Sequence, residues 1–186
     1  MEDGGKILGI LLFFLILFVC YYSAKKNDRR KYSWKDISWI IIFSYLWNFL
    51  NIFVHECGHA LTALAFGGAF YRINIGVGWE LLSFWKRKLI FHILPIGGVV
   101  EGIRAVNMTQ GIFVLAMGVI TQFIFLGLVY WLLKRNKNWQ KTLIGHFTYN
   151  YAIKIAFWIT FVFNCIPFVH PESDWTKITK IILGWN

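Results

Sequence analysis

Long apolar runs decide what this chain can fold into. Ile37 to Ala65, Gly111 to Leu133 and Leu143 to Phe163 each approach or exceed the roughly 20 residues that a helix needs to cross a bilayer. A shorter run, Ile7 to Tyr22, comes first. It has no basic stretch before it and no small-x-small cleavage site after it, so it reads as a retained anchor. Across 186 residues the hydrophobic share is 58%, the charged share 15% and the mean hydropathy +0.55. Soluble domains carry about 25% charged residues, and a fold this small has no interior large enough for so much apolar surface. The expectation is an α-helical, multi-pass integral membrane protein with four transmembrane helices. An anchor helix and basic loop occupy residues 1–36, and a core over 37–186 has helices at about 37–66, 111–133 and 143–166.

The formal net charge of +10 does not point to nucleic acid. The cations cluster between apolar runs, as Lys25, Lys26, Arg29, Arg30, Lys31 and Lys35, then Lys86-Arg87-Lys88, then Lys134, Arg135, Lys137 and Lys141. That is how loops flanking spans meet a lipid bilayer with anionic headgroups, and no groove-reading motif accompanies them. Loops 24–36 and 134–141 together hold ten Lys and Arg against five in 67–110, a bias that places the first pair in the cytoplasm. Cys20, Cys57 and Cys165 are far apart and form no disulfide framework.

Residues 70–102 break the pattern. Short apolar stretches alternate with Gly, Arg, Glu and Lys, and no run reaches spanning length. Alternation in Tyr71 to Ile75 and in Lys88 to Ile93, around Lys86-Arg87-Lys88, predicts a small membrane-associated β-hairpin or sheet between the second and third helices. His92 within it reads as structural.

Inside the second apolar run stands Phe53-Val54-His55-Glu56-Cys57-Gly58-His59. On a helix, His55 and His59 lie one turn apart on one face and offer two imidazole nitrogens to a single ion. Zn2+ takes such ligands tetrahedrally and keeps one position for water. Glu56, about 100° round the helix, is placed to take a proton from that water, whereas Cys57 points away. Ionisable groups in a span are costly and mark function. Asn48 and Asn51 on the same helix either line a polar cavity or bond neighbouring helices. A third ligand is needed, and His170, Glu172 and Asp174 in the C-terminal stretch are the candidates; on chemistry alone the two carboxylates are equivalent.

These features resemble the site-2 protease family of intramembrane zinc metalloproteases. The resemblance runs over about 49–175 and rests on His55-Glu56-Cys57-Gly58-His59, on the Pro95-Ile96-Gly97-Gly98 segment and on Asn164-Cys165-Ile166-Pro167. Where the family has a Gly-Pro-x-x-Asn type of motif, this chain has Gly118, then Val119 and Gln122 at the Pro and Asn positions. The resemblance implies His55, His59 and Asp174 as zinc ligands, Glu56 as general base and Asn164 as a helper at the substrate carbonyl. It also implies cleavage of transmembrane or membrane-anchored protein substrates, held in extended form along a strand edge. Asp174 lies further from Pro167 than in the family pattern and is followed by Trp175 instead of Gly, so Glu172 stays open as the alternative ligand. A catalytically silent zinc-binding membrane adaptor is the alternative function. Thr121 and Gln122 are expected to face a neighbouring helix. His146, Asn150 and Lys154 read as interfacial snorkelling and interhelical bonding.

Overall fold

The computed structural model describes residues 18, 22, 33–103, 107–135, 142–144, 147–165 and 174–183. Among these, the order is α1 (Trp34–Ala65), β1 (Arg72–Phe84), β2 (Leu89–Glu101), α2 (Met108–Arg135), β3 (Thr142–Ile144), β4 (Phe147–Thr148), α3 (Tyr149–Cys165) and α4 (Asp174–Leu183). Apart from Phe18 and Tyr22, the anchor stretch lies outside the described residues, as do residues 166–173 with Pro167, His170 and Glu172.

Each long helix begins at a side-chain cap. Ser33 donates from its N–H and its hydroxyl to Asp36 Oδ2 at 2.9 and 2.8 Å, and Asp36 N–H donates back to Ser33 Oγ at 3.3 Å. This reciprocal box satisfies donors that the first turn of α1 leaves without helical partners. Asn107 Oδ1 accepts from Gln110 N–H at 2.9 Å ahead of α2. Thr148 Oγ1 accepts from Tyr151 N–H at 3.2 Å ahead of α3. At its other end α1 closes on Gly67, whose φ of +76° is natural only for glycine, with Gly68 N–H bonded to Ala63 O and Gly67 N–H to Leu64 O, both at 2.9 Å.

α1 and α2 are long and apolar enough to cross a membrane. Their polarity is inverted relative to a soluble helix. Ile41, Ile42, Leu46 and Leu50 are exposed along α1 while Ser44, Asn48 and Asn51 are buried. Lipid accepts the apolar face, and the polar groups turn inward, where Asn51 offers its carbonyl to Gln122 of α2. The four-helix count has two such helices among the described residues. α3 is 17 residues long and starts at Tyr149, later than the expected 143. The difference has a local cause: Ile144 pairs with Phe147 and Thr142 with Thr148 in a small antiparallel hairpin, and the Thr148 cap starts the helix only beyond it. His146 lies outside the described residues.

The described chain divides into two compact units, Met1–Asn48 with Leu126–Phe163, and Phe49–Phe125 with Asn164–Asn186. In the first, α3 buries Ala152, Ile155, Ala156 and Ile159 at helical spacing and exposes Phe157, Trp158 and Phe161. Arg135 lies over the Trp131 ring at 5.1 Å and Lys134 over Tyr130 at 5.7 Å, cation–aromatic pairs suited to a headgroup layer.

In the second unit, β1 and β2 pair antiparallel over residues 72–101, where the alternation pattern predicts strands. The register is more elaborate than a simple hairpin. Ile73, Asn74 and Ile75 are flanked on both sides, by Val100, Val99 and Gly98 and by Leu89, Ile90 and Phe91. Both strands therefore bend, and Gly76, Gly78 and Gly97 supply the positive φ angles (83°, 96° and 68°) along them. Glu101 fastens the base of the sheet, accepting from Arg72 Nε at 2.7 Å and from Asn74 Nδ2 at 2.6 Å. Ile73, Ile75, Leu89 and Val100 form a core with Ile52 and Ala60 of α1, and Phe91 lies 6.1 Å from both Phe49 and Phe53. Apolar burial thus fixes the sheet against the helix that carries His55, Glu56 and His59. His92 Nδ1 lies 2.9 Å from Gly78 O, a bond within the sheet.

Candidate metal centre

The helical spacing of His55 and His59 brings their Nε2 atoms to 3.0 Å, with the rings edge to face. The third group comes from far along the sequence. Asp174, the first residue of α4, places Oδ2 2.7 Å from His55 Nε2 and 3.1 Å from His59 Nε2. The three side chains form a set able to hold a metal ion. Of the three C-terminal candidates, Asp174 is the one within the described residues, and the structure brings it to the histidines.

α2 supplies the wall behind the imidazoles. His59 Nδ1 lies 2.7 Å from the Val114 carbonyl oxygen, which only accepts, so Nδ1 carries the proton. His55 Nδ1 lies 3.0 Å from Gln122 Oε1, and Gln122 Nε2 donates to the Asn51 carbonyl at 3.0 Å. The Asn51 oxygen cannot donate, which fixes the Gln122 amide with its NH2 toward Asn51 and its oxygen toward His55. His55 Nδ1 is therefore also a donor. In the neutral imidazoles both Nε2 atoms are left with lone pairs, aimed at each other and at a carboxylate oxygen.

Three lone pairs converging on one point repel unless a cation lies among them. Donor atoms set tetrahedrally around an ion 2.0–2.1 Å away are about 3.3 Å apart, close to the 2.7–3.1 Å found here. Two imidazole nitrogens and one carboxylate oxygen also suit zinc, so the residues present fit it. Where no ion is held, protons on the imidazole Nε2 atoms take its place: burial raises the Asp174 carboxyl, but the hydrogen bonds and charges of the protonated rings outweigh it and hold the group well below the usual carboxylate range. Asp174 is anionic in either state.

Close packing surrounds the centre. A Cβ on Gly118 would lie 2.3 Å from His59 Cε1 and 2.8 Å from His55 Cε1. One on Gly58 would meet Thr121 Oγ1 at 2.3 Å and the Met117 carbonyl at 2.5 Å, so glycine lets α1 and α2 approach at the level of the histidines. Thr121 Oγ1 lies 2.7 Å from Met117 O and 3.3 Å from Val54 O. Glu56 is buried beside the imidazoles, and a Cβ on Gly98 of β2 would come within 2.7 Å of its Oε1. The carboxylate therefore lies between the histidines' helix and a strand. Asn164 falls in the last turn of α3, and its side chain lies outside what the structure describes.

Val114, Gly118 and Gln122 recur every fourth residue on α2, which makes one face of that helix the scaffold of the site. Sequence reading places Gln122 against a neighbouring helix without assigning it to His55. The available signal was an amide one turn beyond a glycine in an otherwise apolar span. Val114 acts through its backbone and leaves no signature.

An apolar helix bearing two histidines and a glutamate, closed by a distant aspartate, defines a metal-binding membrane protein of hydrolytic type. The model of peptidase family M50, the site-2 protease family, matches residues 40–183, and the chain belongs to that family. Its metal is zinc. The zinc metalloprotease RasP of Shouchella clausii (strain KSM-K16) is 40% identical over 67 residues, which cover 35% of this chain and 15% of the relative.

Proposed function

We propose that this chain is a zinc-dependent intramembrane endopeptidase that cleaves transmembrane or membrane-anchored protein substrates. The observation that carries this reading is the convergence of His55 Nε2, His59 Nε2 and Asp174 Oδ2 within 3.1 Å, next to a buried Glu56, on a helix long enough to cross a membrane. Family membership and the relative's name agree with it. In this reading the chain crosses the membrane four times, with Ile7 to Tyr22 and α3 joining α1 and α2.

His55, His59 and Asp174 would hold the zinc. When bound, zinc supplies a Lewis acid that makes water nucleophilic near neutral pH. Glu56 accepts the proton of the attacking water and delivers it to the departing amine nitrogen. Asn164 donates to the carbonyl oxygen as negative charge develops there. Residues 98–101 pair on one side with 72–75; Gly97, Gly98 and Val99 are exposed, and Gly98 packs next to Glu56. An extended substrate segment pairs along that edge, which opens a helical substrate and presents its peptide bond.

Glu56→Gln tests the reading in purified protein with a membrane-anchored substrate. Turnover falls about 100- to 10,000-fold, the usual contribution of a general base, while zinc content is retained. A Glu56→Gln protein with full activity would overturn it.

A further inference from the structure

Gln122 lies in α2, buried, on an amide that touches no metal-ligand atom directed at the metal. Its two bonds form a chain: the Asn51 carbonyl accepts from Nε2 at 3.0 Å, and Oε1 stands 3.0 Å from His55 Nδ1. A backbone carbonyl can only accept, so the chain has one direction. The orientation of a helix carbonyl in α1 fixes the amide, and the amide fixes which nitrogen of His55 is protonated.

We propose that Gln122 is a positioning residue that holds His55 in the Nδ1–H tautomer and so sets the affinity of the centre for its metal. The proposal rests on the metal-centre reading above and adds a residue to it. Without an acceptor at Nδ1, His55 is free to take the Nε2–H tautomer, which places a proton where the metal lone pair must be. His59 needs no such side chain because the Val114 carbonyl, 2.7 Å from its Nδ1, does the same for it. The two ligands are thus secured differently, one by backbone and one by a replaceable side chain. Losing an outer hydrogen-bond partner of this kind typically weakens metal binding 10- to 100-fold.

The test is zinc titration of the full-length, metal-stripped protein in detergent, comparing wild type, Gln122→Met and Gln122→Glu, with thermal unfolding of each apo form. Met keeps the length and packing without an acceptor; Glu keeps an oxygen facing Nδ1. The expected result is an affinity about 10- to 100-fold lower for Met and within about threefold of wild type for Glu, with apo melting temperatures close together. Should the Met variant not fold, ring 15N shifts of the wild-type apo protein, assigned with His55→Asn, read the tautomer directly. Wild-type affinity in the Met variant, equal losses in Met and Glu, or an Nε2–H tautomer at His55 each overturn the proposal. Failure of the wild-type protein to bind zinc overturns the metal-centre reading and this inference with it.

Discussion

Gly118 stands against the His59 ring so closely that a single added methyl carbon would lie 2.3 Å from Cε1 and 2.5 Å from Nε2. The ring cannot give way freely, because its Nδ1 is bonded to the Val114 carbonyl in the same helix. Gly118→Ala is therefore expected to displace His59, and His55 with it, and to lower zinc affinity at least about tenfold, the scale of lost ligand orientation. Zinc titration of the purified variant checks this, and an Ala variant with native affinity would contradict the placement of α2.

Gly98→Ala makes a different demand. The new methyl group meets Glu56 Oε1 at 2.7 Å and Ile52 Cγ2 at 2.8 Å, and the atoms nearest to it all belong to Glu56 and Ile52. Glu56 is expected to move while the imidazoles and Asp174 stay in place. Turnover drops at least about tenfold, since a displacement near 1 Å in the reacting geometry costs on the order of 100-fold, and zinc stoichiometry stays at the wild-type value. Zinc analysis beside a cleavage assay separates the two effects; parallel loss of both would show that the strand supports the metal site itself.

Asp174→Ala removes the carboxylate that both imidazoles face, and metal analysis is expected to find little or no zinc after dialysis. Glu172→Ala, measured in parallel, retains the full complement. A reversed pair of results would transfer the third-ligand role to Glu172.

Thr148→Ala removes the acceptor that caps α3 through Tyr151 N–H at 3.2 Å. A lost cap costs about 1 kcal/mol, so a melting temperature lower by a few degrees is expected, with zinc binding unchanged. No change in melting temperature would mean that water or a neighbouring group takes over that N–H.

Sequence periodicity revealed the apolar helices and the paired histidines, because both depend on spacing within one helix. Other features required partners that spacing cannot reveal. Asp174 and Glu172 are chemically equivalent in the sequence; the fold brings Asp174 to the imidazoles, and Glu172 lies outside the described residues. The doubled pairing of Ile73 to Ile75 depends on bends at Gly76, Gly78 and Gly97, and alternation alone reads those strands as an ordinary hairpin. The late start of α3 has its signal in Thr148, a capping residue that stands inside an apolar run and is masked by it. Gly58 is visible inside the motif and Gly118 in a separate apolar run, yet their function lies in what they keep clear.

His55 and Asp174 meet across 119 positions of sequence, and His59 and Asp174 across 115. An ion held by all three is therefore a cross-link as well as a reagent: it closes a loop made of most of the chain, where entropic restraint by a clip is greatest. Stripping the metal would remove that restraint between the C-terminal helix and the histidine helix, so an empty copy is expected to unfold more easily than a loaded one.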